Sequence, residues 1–144
     1  HGSIAAMAES ASGKAGAPPE SARPAARVLV VDDDADSADL LALFLTRRGY
    51  EVKTAGLVSD ARSLLAQGGF DALLTDMRLP DGVGEELLSN PGRGDLRAAF
   101  VVSGLCGDAE IARWRSLGFD GHFLKPLSLD RLAKAIAERL GAPP

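Results

Sequence analysis

The 144-residue sequence contains one cysteine, one tryptophan and one tyrosine, and it has no long apolar run. A single cysteine excludes an intrachain disulfide and argues against a cysteine-based zinc site. The longest apolar runs are far too short to span a bilayer, so we expect no membrane insertion. The net charge of −4 provides no basic surface of the kind that binds DNA or RNA, so we expect no direct nucleic-acid partner.

The first 26 residues have few groups that could enter a hydrophobic core. Residues 1–26 are rich in Ala, Gly, Ser and Pro, with Ile4 and Met7 as the only large apolar side chains. So little apolar surface cannot offset the entropy of ordering a chain. We therefore predict a disordered tail over 1–26, whose HGS start we interpret as the remnant of an expression tag. A folded domain is predicted over 27–141, followed by a short tail at 142–144.

The remaining sequence has an ordinary globular composition, and short apolar runs alternate with segments of helical periodicity. Hydrophobic residues make up 46% of the chain and charged residues 25%. Alternation of strands and helices favours right-handed crossovers and a parallel sheet covered by helices on both faces. A cytoplasmic location is expected, because a lone cysteine suits a reducing compartment. Strands are predicted at 28–31, 50–55, 71–76, 98–104 and 121–126, and helices at 36–48, 59–67, 84–89, 108–116 and 129–140.

Chemically distinctive residues follow four of these five strands. Asp32 and Asp33 follow the first, Asp76 ends the third, Ser103 lies at the end of the fourth, and Lys125 ends the fifth. Since the carboxyl ends of parallel strands meet at one edge, these side chains are expected to converge. Carboxylate oxygens are ligands that Mg²⁺ prefers, and a lysine can neutralise a bound anion. An aspartate in such a set is a candidate nucleophile that forms an aspartyl phosphate.

Each of these residues taken alone has a simpler interpretation as a cap, a turn or a surface residue. An aspartate after a strand usually begins a helix, and we expect this of Asp34 and Asp36. Ser59 is likewise expected to cap the second helix. Met77 is expected in the core, and Trp114 either in the core or as a packed surface anchor. The functional interpretation therefore depends on the joint placement of the residues at the strand ends.

Four motifs in fixed order resemble the receiver domains of two-component response regulators: VLVVDDD, LLTDMRLPDGVG, VVSG and GFDGHFLKPL. The resemblance extends over residues 27–140. It implies a flavodoxin-like (βα)5 fold, that is, a doubly wound five-stranded parallel α/β sheet with strand order 2-1-3-4-5. The spacing between Asp76 and Ser103 is somewhat short for the family, which predicts a trimmed third helix or a trimmed loop after it.

The resemblance also assigns metal and phosphoryl roles to residues around the third strand. Asp76 matches the phosphoacceptor of the family. Asp32 and Asp33 match the acidic pair that binds Mg²⁺, with Asp33 the more direct ligand. Arg78 matches the position whose backbone carbonyl also binds the metal. The implied cofactor is therefore Mg²⁺ held by these four residues.

Further roles are implied near the fourth and fifth strands. Ser103 matches the hydroxyl that contacts the phosphoryl group, and Lys125 matches the phosphate-contacting lysine. The bond from Lys125 to Pro126 is usually cis in the family. His122 occupies the switch position, where many relatives carry Tyr or Phe; its other interpretation is a partly buried strand residue without a signalling role. Val83 departs from the small polar or acidic residue often found at its position.

The resemblance implies a phosphorelay function. The chain would accept a phosphoryl group from a histidine kinase or a histidine phosphotransferase onto Asp76, and would switch a face that a downstream protein partner reads. Its catalysis would be limited to self-phosphorylation and autodephosphorylation. One alternative is a receiver fold that binds partners without phosphorylation. Another is a phosphatase of the haloacid dehalogenase type, whose D-x-D-x-[TV] motif DDDADSA matches only loosely.

The end of the sequence gives an expectation about its context. The chain stops at GAPP with no basic helix-turn-helix segment after the domain. It is therefore interpreted as either a stand-alone receiver or a part of a longer protein. The segment GFDGHFLKPL resembles the corresponding segment of receivers that are attached to hybrid histidine kinases.

Overall fold

The computed structural model describes residues 25–141. The tails predicted at 1–26 and 142–144 therefore lie almost wholly outside the described residues. In chain order the elements are β1 Arg27–Val31, α1 Ala35–Arg47, β2 Glu51–Ala55, α2 Val58–Gln67, β3 Ala72–Asp76, β4 Arg78–Leu79, β5 Gly82–Val83, a 3₁₀ helix Gly84–Leu88, β6 Ala98–Ser103, α3 Asp108–Leu117, β7 Gly121–Leu124 and α4 Leu129–Leu140.

Five of the strands form one parallel sheet in the order β2-β1-β3-β6-β7. Since β6 and β7 are the fourth and fifth strands of this sheet along the chain, the order confirms the predicted 2-1-3-4-5 arrangement and the flavodoxin-like α/β fold. The central strands β1, β3 and β6 are buried along nearly their whole length, as expected of apolar runs covered on both faces. Among the helices of residues 25–141, none combines the length and the apolarity needed to cross a membrane.

The two faces of the sheet bury separate hydrophobic clusters, because successive strand side chains point to opposite sides. In β1, Leu29 and Val31 face the cluster under α2, the 3₁₀ helix and α3, whereas Val28 and Val30 face α1 and α4. Burial of one such aliphatic side chain stabilises the fold by about 1.5–3 kcal/mol. Trp114 lies in the first cluster with 2% of its surface exposed, which confirms its predicted place in the core.

The register of the strands places their carboxyl ends level with one another. Val31 at the end of β1 is paired with Thr75, so Asp32 comes level with Asp76. Asp76 is paired in turn with Val102, and the next residue, Ser103, is paired with Leu124, which directly precedes Lys125. The alignment that the sequence predicted for these residues therefore follows from backbone pairing.

The short third helix predicted at 84–89 is a 3₁₀ helix over Gly84–Leu88, in agreement with the predicted trimming. One local prediction was wrong, and it concerns the start of α2. The helix α2 begins at Val58 with Leu57 as its N-cap residue, so Ser59 is not the cap. Its first amides are instead bound by the distant carboxylate of Asp81, which replaces the local cap that the sequence suggested.

Candidate functional site

Three carboxylates meet at the carboxyl ends of β1 and β3. One oxygen from each of Asp32, Asp33 and Asp76 lies within 4.8 Å of the others. Asp32 and Asp76 are buried, with 8% and 6% of their surfaces exposed, while Asp33 is open to solvent. Three hard oxygen donors around one open position suit Mg²⁺, which usually takes only a few protein ligands and keeps several waters.

The start of α1 fixes the orientation of the acidic pair. The amide of Asp34 donates to Asp32 Oδ1 at 2.9 Å, and the Asp34 carboxylate accepts from the amides of Asp36 and Ser37. Asp34 is therefore the N-cap of α1, as predicted, and Asp36 lies in its first turn. The cap holds the turn after β1 so that the Asp32 side chain points to its neighbours at the strand ends.

Lys125 lies on the other side of the Asp76 carboxylate. Its Nζ is 3.1 Å from both Oδ1 and Oδ2 of Asp76. Burial raises the pKa of Asp76 from 3.8 to about 6; Lys125 lowers it, and Asp32 adds to the increase. Partial burial lowers the pKa of Lys125, but its contacts with Asp76 outweigh this and raise it. The bond between Lys125 and Pro126 is cis, as the resemblance implied.

Arg78 and Ser103 line a cavity of about 500 Å³ together with Asp76 and Lys125. The sequence prediction that these residues gather at one place is therefore met by the geometry. The Ser103 hydroxyl, however, donates to the carbonyl of Leu105 at 2.9 Å and accepts from its amide at 3.3 Å. In this state Ser103 is bonded to the loop that directly follows it, residues 104–107, which we call the serine loop.

The segment after Asp76, residues 77–84, forms a tight hairpin that we call the acceptor loop. Arg78 pairs with Val83 across β4 and β5. The amide of Met77 donates to Val102 at 3.1 Å, and the amide of Gly84 donates back to Met77 at 2.8 Å. These bonds hold the peptide groups that directly follow Asp76. The sequence did not predict this hairpin, because its strands are only two residues long.

Gly84 closes the acceptor loop against the end of β3. A Cβ at this position would overlap the carbonyl oxygen of Asp76 and the hydroxyl of Thr75. Only glycine permits so close an approach of two backbone segments. The motif LLTDMRLPDGVG contained this signal, but the sequence alone does not say which atoms the glycine approaches.

His122 is half-buried on β7, and its ring centroid lies 6.0 Å from that of Trp114. Trp114 Nε1 donates to Glu85 Oε1 at 3.1 Å, and Arg113 forms further hydrogen bonds with the same carboxylate. The Arg113 hydrogen bond lowers the pKa of Glu85. Glu85 thus connects the 3₁₀ helix to α3 beside His122. Sequence reasoning missed this network, since its members lie far apart along the chain.

The fold and its acidic edge define a doubly wound α/β domain with a carboxylate cluster and an adjoining lysine. A model of the response regulator receiver domain matches residues 28–137, and the chain belongs to this family. The response regulator protein PilR of Pseudomonas aeruginosa is 35% identical over 116 residues, which are 79% of this chain and 26% of the relative. The chain thus spans about a quarter of that relative's length.

Solved structures agree with this assignment. A CheY-like response regulator receiver domain protein from Methanospirillum hungatei superposes with a TM-score of 0.73 at 29% identity, over 81% of this chain and 94% of the other. A response regulator protein from Burkholderia pseudomallei superposes with a TM-score of 0.67 at 27% identity, over 76% and 65% respectively. The crystal structure of the latter contains a phosphorylated aspartic acid, a calcium ion and citrate.

Proposed function

We propose that this domain accepts a phosphoryl group on Asp76 from the phosphohistidine of a histidine kinase or a histidine phosphotransferase, with Mg²⁺ as cofactor. The observation that carries the proposal is the placement of Asp76 between two further carboxylates and the ammonium group of Lys125. The phosphorylated aspartic acid and bound calcium of the Burkholderia relative support the same chemistry here.

Asp76 is the nucleophile of the proposed transfer. With a pKa of about 6 its carboxyl group is mostly ionised at neutral pH. One of its oxygens attacks the phosphorus, and the P–O bond forms as the P–N bond of the phosphohistidine breaks. The imidazole takes the electron pair of the broken bond and, being protonated at its other nitrogen, leaves as a neutral ring. Slow hydrolysis of the acyl phosphate then returns the carboxylate and inorganic phosphate.

The neighbouring residues supply positive charge and hydrogen bonds. Asp32, Asp33, Asp76 and the backbone of Arg78 would hold Mg²⁺, which offsets the negative charge of the carboxylates and of the phosphoryl group. Lys125 already lies against Asp76 and would follow the added phosphoryl oxygens. Ser103 would exchange its hydrogen bond to Leu105 for one to the phosphoryl group. This exchange would move the serine loop and so signal the phosphorylated state.

The signal would be read by a downstream protein partner. A phosphoryl group adds about −1.5 to −2 charges beside β6 and β7, so movement of the serine loop and of His122 would change the face made by α3, β7 and α4. We place this relay in the cytoplasm, without direct binding to nucleic acid. Fractionation of the native protein checks the location.

Phosphorylation with a small donor tests the proposal. Acetyl phosphate and Mg²⁺ are expected to add one phosphoryl group to the wild-type protein, detected by intact mass, and none to the Asp76→Ala variant. Asp95→Asn is a matched control, because Asp95 is exposed in the loop that precedes β6 and lies at the other end of that strand from Ser103. An adduct on Asp76→Ala would place the chemistry elsewhere. No adduct on the wild type and no response to beryllofluoride would favour the unphosphorylated interaction module.

A further inference from the structure

Asp81 lies at the tip of the acceptor loop and binds the start of α2 across a long sequence separation. Its Oδ1 accepts from the Val58 amide at 2.7 Å and its Oδ2 from the Ser59 amide at 3.0 Å. The residue at the N-cap position of α2 is Leu57, whose side chain cannot accept a hydrogen bond. The loop therefore provides the cap that the helix itself lacks, and the helix provides an anchor for the loop.

The two amides bind a charged group at this helix end. Hydrogen bonds from Ser59 and Val58 lower the pKa of Asp81, so the side chain is ionised at neutral pH. A carboxylate at a helix N-terminus also interacts favourably with the helix dipole. Because Asp81 is exposed, water competes for the same amides, and the anchor is expected to be of moderate strength.

A second contact holds the same side of the acceptor loop. Arg62 on α2 donates to Glu86 Oε1 at 3.4 Å, and Glu86 Oε2 accepts from the Val83 amide at 3.4 Å. These distances are long for hydrogen bonds, so Asp81 makes the shorter connection between α2 and the loop. The base of the loop is held separately by the bond from Gly84 to Met77.

Arg78 lies between the held base and the held tip. Its backbone carbonyl is the proposed fourth protein ligand of Mg²⁺, an ion that tolerates little departure from octahedral geometry. A peptide group anchored on both sides keeps one orientation, whereas release of the tip would let β4 and β5 twist. The free energy needed to restore the orientation of the Arg78 carbonyl would then make Mg²⁺ binding weaker.

We infer that Asp81 is a positioning residue for the metal site: by anchoring the tip of the acceptor loop to α2, it preorganises the Arg78 carbonyl for Mg²⁺. The inference rests on the proposed function, since it concerns the affinity of the same site. A merely structural role, in which Asp81 only stabilises α2, makes a different prediction, because weakening α2 by other means would then have the same effect.

Mg²⁺ titration of Asp81→Ala, Asp81→Asn and Ala66→Gly separates the two roles. Ala66 is exposed near the other end of α2, so glycine there weakens the helix and leaves the loop untouched. Followed by NMR without a phosphodonor, Asp81→Ala should raise the Kd for Mg²⁺ about three- to tenfold, less than loss of a buried supporting contact would. The amide oxygen of Asp81→Asn can still accept one hydrogen bond, so the Kd of this variant should lie between those of the wild type and Asp81→Ala. The Kd of Ala66→Gly should match that of the wild type.

Hydrogen exchange of the metal-free proteins supplies a second measurement. The Gly84 amide, which closes the loop onto Met77, should exchange faster in Asp81→Ala than in Ala66→Gly. If the wild type binds Mg²⁺ and Asp81→Ala binds it equally well, the inference alone is overturned. Equal weakening in Asp81→Ala and Ala66→Gly would also overturn it, since the effect would then pass through helix stability. A wild type that binds no Mg²⁺ would overturn the proposed metal site itself, and the inference with it.

Discussion

The acceptor loop and the serine loop leave neighbouring strands and border the same cavity, yet they are held very differently. The acceptor loop is bonded to β6 through Met77, to itself through Gly84, and to α2 through Asp81. The serine loop is held by local contacts: the Ser103 hydrogen bonds with Leu105, a bond from the Gly107 amide to Glu110 at 2.8 Å and the packing of Cys106, while the Leu105 side chain is 87% exposed. One side of the site is fixed, and the other can rearrange at little cost.

This difference suits the proposed function, in which the site binds an ion in one geometry and reports a change of charge. Mg²⁺ needs preplaced ligands, and the proposed ones lie directly after β1, at the end of β3 and in the acceptor loop. Sensing needs an element with two arrangements of similar free energy, and local hydrogen bonds that can be exchanged provide it. The following predictions test whether the acceptor loop and the serine loop differ in this way.

The largest expected effect is that of a methyl group added to each loop. At Gly84 the new Cβ would overlap the carbonyl of Asp76, whereas at Gly104 it would have no neighbour within 4 Å. We expect Gly84→Ala to lower the free energy of unfolding by about 3 kcal/mol or more. Gly104→Ala should change it by less than about 1 kcal/mol. Urea denaturation of both variants is the measurement, and equal losses would show that the loops are packed alike.

A smaller effect is expected when the charge of Asp76 is removed. Its raised pKa means that the protonated form favours folding, so this contribution is present below about pH 4 and is lost as the pH rises through about 6. Asp76→Asn lacks the charge. In EDTA at pH 7.5 it should therefore be more stable than the wild type by about 1–3 kcal/mol, the lost Lys125 contact offsetting part of the gain.

Denaturation at several pH values checks this prediction. The advantage of Asp76→Asn should shrink towards zero near pH 4, where the wild-type carboxyl group is protonated as well. Mg²⁺ should narrow the difference at pH 7.5, since it stabilises the wild type. The exposed Asp95→Asn change serves as the control. A variant that is less stable than the wild type at every pH would mean that the Asp76 carboxylate supports the fold.

Much of the fold and most of the site followed from the sequence for a physical reason. Runs such as VLVV suit buried strands, and parallel strands bring their ends to one edge, so Asp32, Asp76, Ser103 and Lys125 were expected to gather there. The resemblance to receiver domains then added the order of the strands and the roles of these residues. The structure places Asp76, Ser103 and Lys125 around one cavity, and a carboxylate oxygen of Asp32 within 4.8 Å of one of Asp76.

What could not be predicted depends on side chains that meet across long separations. Ser59 has the residue type of a cap, but the Asp81 carboxylate, which lies more than twenty residues away, binds that helix start. The preference of serine for the N-cap position was therefore overridden by a tertiary contact, which sequence spacing does not reveal. The bond from Trp114 to Glu85 is of the same kind. The hydrogen bonds of the Ser103 hydroxyl with Leu105 could not be predicted either, since a serine after a strand offers the same hydroxyl to several neighbouring backbone groups.

The smallest expected effect concerns His122, which lies on β7 and is paired with Val101 of the strand that ends at Ser103. Beryllofluoride, a stand-in for the phosphoryl group, should draw the Ser103 hydroxyl away from Leu105 and move the serine loop towards Asp76. NMR shift changes should therefore concentrate at residues 103–127. His122→Ala should keep phosphorylation intact and reduce the distant changes on α3, because the alanine cannot transmit movement to Trp114.

Trp114 makes this test sharper, as it is the single tryptophan of the chain and packs beside the His122 ring. Its fluorescence should respond to beryllofluoride in the wild type and respond less in His122→Ala. Phe123→Leu is the matched control, since Phe123 packs against Phe100 on the opposite face of the sheet. If His122→Ala leaves the fluorescence response and the shifts on α3 unchanged, His122 is only a half-buried strand residue. A partner would then sense the movement of the serine loop directly at the exposed Leu105 side chain, without a change in β7.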